Sequence, residues 1–147
     1  MRTVTTRRLV PGDEQPAREL FVVMAEAFDE APEPLGDAYV AELLRTGSFW
    51  AVAAFEGGRV VGGITAHTIP MTRSRSAELF VYDLAVDADF RRRGIGRRLV
   101  ATIRDLAAEA GIAAIFVPAD SDDTGAVAFY RSLGGRESPV SFFTWDA

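Results

Sequence analysis

The stretch Asp87–Arg98 reads DADFRRRGIGRR and packs five arginines around two glycines. It follows an apolar run, Ala77–Val86, that is typical of a buried strand, and it leads into apolar spacing that predicts a helix over Gly94–Ala110. The glycines thus lie at a strand-to-helix junction. The first turn of a helix has four backbone N–H groups without intrahelical acceptors and carries the positive end of the helix dipole. The junction therefore predicts an anion site.

The two glycines favour a phosphate as that anion. Gly94 and Gly96 lack side chains that would block close approach, and the neighbouring arginines can add charge-assisted hydrogen bonds. The spacing Arg-x-x-Gly-x-Gly differs from the Gly-x-Gly-x-x-Gly of a dinucleotide site, and no acidic residue ends a second strand about 20 residues later. A tight turn with solvated arginines is the alternative explanation.

Composition limits the class of protein. The chain has 147 residues, of which 48% are hydrophobic. This suits a single domain, residues 1–147, with a substantial core. No apolar run is long enough for a membrane span, and the N-terminus lacks the apolar segment of a signal peptide. We therefore expect a cytoplasmic protein with no membrane partner. The sequence leaves a homodimer open.

Missing residue types exclude several chemistries. The absence of cysteine excludes disulfides, thiolate nucleophiles and Cys-ligated zinc. All 16 basic residues are arginine, so a P-loop lysine and a Schiff-base lysine are excluded as well. The single histidine, His67, lies in a predicted strand, where a packing role is favoured over catalysis. We expect no metal.

Charge is unevenly distributed along the chain. Nine carboxylates but only one arginine lie between Asp13 and Glu42, whereas Arg91–Arg98, here named the glycine loop, is strongly basic. The basic segment is short and the pI is about 4.9, which argues against a nucleic-acid partner. The acidic segment favours a cationic small molecule, whose local concentration carboxylates would raise. Ordinary solvated surface acids are the alternative.

The remaining patterns predict an α/β chain in the order βααβββαβαβ. Asp13 is expected to cap the first helix. The apolar residues of the third helix predicted to face inward are Ile95, Leu99, Ile103, Leu106 and Ala110. The predicted strands are Thr3–Leu9, Phe49–Phe55, Arg59–Ile69, Ala77–Val86, Ala113–Val117 and Val140–Trp145. The predicted helices are Asp13–Phe28, Gly36–Arg45, Gly94–Ala110 and Asp123–Ser132.

Three motifs in this order resemble those of the GNAT superfamily of acyl-coenzyme A-dependent N-acetyltransferases. They are Tyr82–Val86 (YDLAV), Arg91–Gly96 (RRRGIG) and Asp123–Gly134 (DTGAVAFYRSLG). The resemblance implies the GNAT fold, with a mixed, mostly antiparallel central sheet and helices on both faces. It also implies acetyl-coenzyme A (acetyl-CoA) as co-substrate.

The resemblance implies a role for each motif. The glycine loop would wrap the pyrophosphate of coenzyme A, and the preceding strand would offer backbone hydrogen bonds to the pantetheine. Tyr130 would protonate the departing thiolate; an aromatic core residue is the alternative. Asp123 stands where many members have asparagine, but it can still cap its helix. The implied cofactor-binding residues are Leu84, Ala85, Val86, Arg91, Arg92, Arg93, Gly94, Ile95, Gly96, Arg97, Asp123, Ala126 and Phe129.

A closer resemblance is to the aminoglycoside 3-N-acetyltransferases of that superfamily. It rests on Phe49–Phe55, Tyr82–Val86 and Ala119–Tyr130. Two departures concern the acceptor end: His67 stands where a tyrosine is expected, and Val140–Trp145 lacks an expected acidic residue. The resemblance implies acetyl transfer to an amine of an aminoglycoside antibiotic, which inactivates it. The implied acceptor-binding residues are Asp29, Glu30, Glu33 and Tyr82.

Acetyl transfer needs a base, because an ammonium must lose its proton before it attacks. Strict alternation would place Asp83 with Leu79, Val81 and Ala85, as the one carboxylate on an apolar face. Burial there would raise its pKa. We predict Asp83 as base or amine-orienting group, with Glu78 as the alternate; a structural role for Asp83 stays open.

Other functions also remain open. A related enzyme could acetylate a polyamine or a protein N-terminus. A non-catalytic coenzyme A sensor would keep the glycine loop but would have no use for Tyr130 and Asp83.

Overall fold

A computed structural model describes residues 3–147, within which the chain forms five strands and four α-helices. The chain divides into two compact units; the first ends at Val117, and the second begins at Pro118. A single domain stays a prediction. The first unit contains β1 (Val4–Arg8), α1 (Glu14–Ala27), α2 (Asp37–Arg45), β2 (Phe49–Glu56), β3 (Arg59–Pro70), β4 (Ala77–Val86), a 3-10 turn (Ala88–Phe90), α3 (Ile95–Glu109) and β5 (Ala114–Phe116); the second contains α4 (Thr124–Ser132).

The five strands form one sheet in the order β1-β2-β3-β4-β5. The first three pairings are antiparallel, and β4 pairs with β5 in parallel. A parallel pair needs a crossover connection, and α3 provides it between β4 and β5. The predicted mixed, mostly antiparallel sheet is confirmed.

Both faces of the sheet are buried. Along β2, Trp50, Val52 and Ala54 pack in the cluster that contains α3, whereas Phe49 and Ala51 pack in the cluster that contains α1 and α2. Helices therefore cover both faces, as predicted. The buried stripe of α3 follows a four-residue spacing: Ile95, Leu99, Ile103 and Ala107. Leu106 packs at its margin. The inward prediction for Ala110 is wrong, because this residue ends the helix and is exposed.

Asp13 stands at the N-cap position of α1, as predicted, but its side chain binds groups that precede the helix. Its carboxylate accepts two hydrogen bonds from the Arg7 guanidinium, at 2.8 and 3.1 Å, and one from the Val10 N–H at 2.8 Å. No N–H of α1 binds this side chain. Asp13 thus ties the end of β1 to the start of α1.

The predicted strand Val140–Trp145 is wrong. Residues 135–147 form no helix or strand, and Val140 and Trp145 are 79% and 86% exposed. The adjacent Phe142 and Phe143 interrupt the alternation of a half-buried strand, and both are also exposed. An apolar extended segment becomes a strand only when a neighbouring strand satisfies its backbone groups.

Between residues 3 and 147, no helix combines the length and apolar character that crossing a membrane would require.

Candidate active site

A β-bulge interrupts β4 at Tyr82. Thr65 of β3 pairs with Asp83 and the next residue, Ala66, pairs with Val81, so Tyr82 is the extra residue. A bulge leaves its extra residue outside the regular ladder and turns the strand. The bulge therefore frees backbone groups in the middle of β4.

The bulge also changes which face Asp83 occupies. Val81 packs in the cluster on the α3 side, but Ala85 packs in the cluster on the α1 side, although strict alternation would put both on one face. Asp83, two residues before Ala85, therefore lies on the α1 side. The prediction that Asp83 shares a face with Leu79 and Val81 is wrong, because the extra residue at 82 reverses the alternation.

One edge of β4 is open beyond Phe80. Pairing with β5 covers only Glu78–Phe80, whereas pairing with β3 continues to Val86. Along residues 81–86, the backbone groups directed away from β3 have no strand partner within the described part of the chain. An open edge of this kind can bind an extended ligand through main-chain hydrogen bonds.

The glycine loop follows this open edge after the 3-10 turn Ala88–Phe90. Its backbone enters the left-handed region twice, at Arg92 with φ 65° and at Gly94 with φ 74°. The first N–H of α3 with a helical acceptor is that of Arg98, which donates to Gly94 O at 3.1 Å. The N–H groups before it lack helical partners. Left-handed residues in a turn favour backbone concavities that bind anions.

The loop arginines divide into anchored and free side chains. Arg91 Nε donates to Val86 O at 3.3 Å, and the Arg98 guanidinium donates to Val4 O. Arg93 Nη1 lies 3.7 Å from Glu56 Oε2, and its guanidinium lies over the Phe90 ring. In contrast, Arg92 and Arg97 are exposed, and nothing in residues 3–147 forms a hydrogen bond or an ion pair with their side chains. These two cations can meet a bound anion.

Asp83 is half-buried, and burial raises the pKa of its carboxyl, with a further contribution from the negative charge of Glu30. The predicted direction of this pKa shift is confirmed. Glu30 follows α1, where its N–H donates to Ala25 O at 2.8 Å. The effect of its charge on the pKa of Asp83 indicates that the end of α1 places Glu30 near this carboxyl group. Asp29, in the left-handed region at φ 58°, and Glu33 are exposed in the same connection between α1 and α2.

Glu78 is not brought to Asp83. Five residues of extended strand separate the two, roughly 16 Å. Glu78 instead lines a cavity of about 180 Å³ at the β3–β4 hairpin, together with residues 70–73.

A row of five aromatic rings crosses β2, β3, β4 and β5. Neighbouring centroids lie 5.5, 6.0, 6.2 and 5.1 Å apart in the order Phe49, His67, Tyr82, Phe80 and Phe116. Tyr82 is 65% exposed. His67 is a strand side chain, as predicted. The sequence predicted Tyr82 as an acceptor-binding residue and placed His67 at the acceptor end. Aromatic residues on successive predicted strands were a usable signal for the other three.

Tyr130 belongs to the second unit, where it is half-buried in α4. Burial raises the pKa of its phenol, and the negative charge of Asp123 raises it further. Asp123 caps α4 by accepting the Ala126 N–H at 3.0 Å, which confirms the predicted cap. The Tyr130 ring also packs edge-on against Phe129, at 5.1 Å between centroids. The hydroxyl therefore keeps its proton at neutral pH.

No group of three histidine, aspartate or glutamate side chains within residues 3–147 is arranged to hold a metal ion.

The chain matches the family model described as "Acetyltransferase (GNAT) family" over residues 15–134. It belongs to this family of acetyltransferases, whose members use acetyl-CoA. N-acetyltransferase 8 of Homo sapiens is 30% identical over 106 residues, which cover 72% of this chain and 45% of that protein. The bS18-alanine N-acetyltransferase of Salmonella typhimurium (strain LT2) is 33% identical over 63 residues, 43% of each chain. The match spans less than half of these curated relatives.

Two solved structures are similar to this protein over nearly the whole chain. An aminoglycoside acetyltransferase from an uncultured soil metagenomic sample has a TM-score of 0.91 and 32% identity, with 99% of both chains covered. A second aminoglycoside acetyltransferase from such a sample, in complex with sisomicin, has a TM-score of 0.94 and 27% identity, with 98% of this chain and 96% of that chain covered. The predicted GNAT fold is confirmed.

Proposed function

We propose that this protein transfers an acetyl group from acetyl-CoA to an amino group of an aminoglycoside, with the 3-amino group as the acceptor. The observation that carries the proposal is that the open, bulged edge of β4 is followed, after one 3-10 turn, by a loop with left-handed residues at Arg92 and Gly94. An extended ligand with an anionic centre fits this arrangement.

Each part of acetyl-CoA has residues that suit it. The backbone N–H groups of Gly94–Arg97 would hold the pyrophosphate, and Arg92 and Arg97 would add charge. The edge of Leu84–Val86 would hold the pantetheine amides. The bulge at Tyr82 would leave an N–H for the thioester carbonyl oxygen, where negative charge develops. Acetyl-CoA itself supplies the activated acetyl group.

Two side chains would move protons. The raised pKa of the Asp83 carboxyl makes it a stronger base than an exposed aspartate, so it can take a proton from the acceptor ammonium. Tyr130 would return a proton to the coenzyme A sulfur. The raised pKa values of Asp83 and Tyr130 support these roles. A sensor that only binds coenzyme A would need neither shift.

Charge and surface support a polycationic acceptor. Asp29, Glu30 and Glu33 lie in one exposed connection, with Glu30 close enough to Asp83 to act on its pKa. The exposed ring of Tyr82, next to Asp83 in the chain, offers an apolar face. The likeness to two aminoglycoside acetyltransferases over nearly the full chain supports the same class of acceptor.

A second candidate is acetylation of a protein N-terminus, which the likeness to the bS18-alanine N-acetyltransferase favours.

We expect coenzyme A release with gentamicin-like aminoglycosides and little with polyamines or N-terminal peptides, measured by a thiol reagent. With the aminoglycoside, KM should rise with ionic strength, because salt screens the attraction of the carboxylates. Acetylation of peptides alone would support the second candidate and overturn the proposal.

Asp83→Asn tests the base. The amide keeps the shape but cannot accept a proton, so we expect kcat to fall by about 100-fold. The same substitution should make the folded state more stable at neutral pH. Because the pKa is higher in the folded chain, the folded state loses stability as pH rises from the unfolded pKa, about 3.9, through the folded pKa. The ionised group then destabilises the fold at neutral pH.

Asp83→Asn should therefore raise the melting temperature at pH 7 by about 2 °C, and this gain should vanish near pH 3. Calorimetry at both pH values, with kcat measured alongside, checks the two effects. Asp105→Asn, an exposed change on α3, should alter neither. A lower melting temperature with wild-type kcat would make Asp83 a structural residue.

A further inference from the structure

Glu56, at the end of β2, holds a buried carboxylate oxygen in an unusual environment. Its Oε2 is buried, and no hydrogen-bond donor reaches it from residues 3–147. Arg93 Nη1 forms an ion pair with this oxygen at 3.7 Å. A buried charged oxygen without hydrogen bonds is costly, and such a group calls for an explanation. The ion pair links β2 to the glycine loop.

The same arginine has a second anchor in Phe90. The Arg93 guanidinium lies over the Phe90 ring, 4.9 Å from its centroid, and Arg59 lies 5.2 Å from the same centroid. Arg59 also pairs with Asp87, at 3.2 Å. Two cations, two carboxylates and one ring thus fix the β2–β3 hairpin to the segment that enters the loop.

A strained residue lies within the segment that this network anchors. Arg92 has φ 65°, which side chains other than glycine rarely adopt, and it lies between Phe90 and Arg93. A backbone in that region persists when the surrounding structure holds it in place. Arg93 and Phe90 are anchored on either side of Arg92 in the chain, and these anchors keep Arg92 in its left-handed conformation.

We propose that Glu56 is a positioning residue, which fixes Arg93 against Phe90 and so keeps the Arg91–Gly96 backbone in its anion-binding conformation. The inference rests on the proposed binding of acetyl-CoA at this loop. It assigns Arg93 to the shape of the site and leaves the direct charge contacts to Arg92 and Arg97.

A pure charge effect and a positioning effect predict opposite changes in acetyl-CoA affinity for Glu56→Gln. Glu56→Gln removes a negative charge near a site for a polyanion, so through charge alone it would tighten acetyl-CoA binding. Through positioning it loosens Arg93 and weakens binding. A weaker affinity can therefore be assigned to loop geometry.

We expect Glu56→Gln to raise the calorimetric Kd for acetyl-CoA by about tenfold, the scale of losing support for one strained residue. KM for acetyl-CoA should rise with it, and kcat at saturation should stay unchanged. Glu137→Gln, which removes an exposed partner of Arg131, is the matched control and should leave Kd unchanged. Equal or tighter binding by folded Glu56→Gln overturns the inference.

The strained residue provides a second test. In an Arg92→Gly background, the left-handed conformation is intrinsically accessible, so Glu56→Gln should then weaken binding by less than about threefold. An undiminished tenfold effect in that background would contradict positioning through Arg92.

If Glu56→Gln fails to fold, Phe90→Leu keeps the net charge and removes the same anchor. Its Kd should rise about as much as predicted for Glu56→Gln, and an unchanged Kd would overturn the inference. Wild-type protein that does not bind acetyl-CoA at all would instead refute the proposed function.

Discussion

Tyr130→Phe is expected to lower kcat by about 100-fold or more, with nearly unchanged affinity for acetyl-CoA. The substitution removes one hydroxyl and keeps the ring that packs against Phe129. Burial and the charge of Asp123 raise the pKa of this phenol, so the hydroxyl is fully protonated at neutral pH. The pKa of a thiol is about 8.5, so a thiolate leaving group gains from a proton donor.

Steady-state kinetics with saturating acceptor measures the effect, and calorimetry measures acetyl-CoA affinity. Tyr39→Phe makes the same chemical change on an exposed tyrosine of α2 and serves as the control. Wild-type turnover by Tyr130→Phe would return this residue to the aromatic packing role that the sequence left open. A large loss of affinity with unchanged kcat would make the hydroxyl a binding group.

Local patterns predicted the helices and most strands. α4 illustrates why: Asp123 caps its start, and Gly134, in the left-handed region at φ 84°, follows its end. Both signals are contained within a few residues of the chain. The glycine loop was predictable for the same reason, since the first turn of α3 and its spacing are local.

Features that depend on pairing between distant segments were not predictable. The bulge at Tyr82 exists because of the register between β3 and β4, and no residue of β4 alone encodes it. Because of this bulge, Asp83 lies on the opposite face of the sheet from the one predicted. The closeness of Glu30 to Asp83 depends on how α1 ends, and the buried oxygen of Glu56 depends on where Arg93 lies. Val140–Trp145 shows the converse, a strand pattern without a neighbour to pair with.

Gly96→Val is expected to raise the Kd for acetyl-CoA by about 100-fold while the fold stays intact. Gly96 is the second residue of α3, within the turn whose N–H groups lack helical acceptors. In the proposed binding mode, a branched side chain there would block the approach of the phosphate. Valine is no worse a helix former than glycine, so the melting temperature should hold.

A matched series separates blocked approach from backbone strain. Gly96→Ala adds one methyl group and should weaken binding less than valine. Gly94→Val should lower both affinity and melting temperature, because Gly94 has φ 74° and a branched residue is strained there. Gly47→Val has no atom within 4 Å of its added Cβ and should change neither quantity. If Gly96→Val binds acetyl-CoA as the wild type does, the backbone of this turn does not hold the pyrophosphate, and the arginine side chains must carry the anion alone.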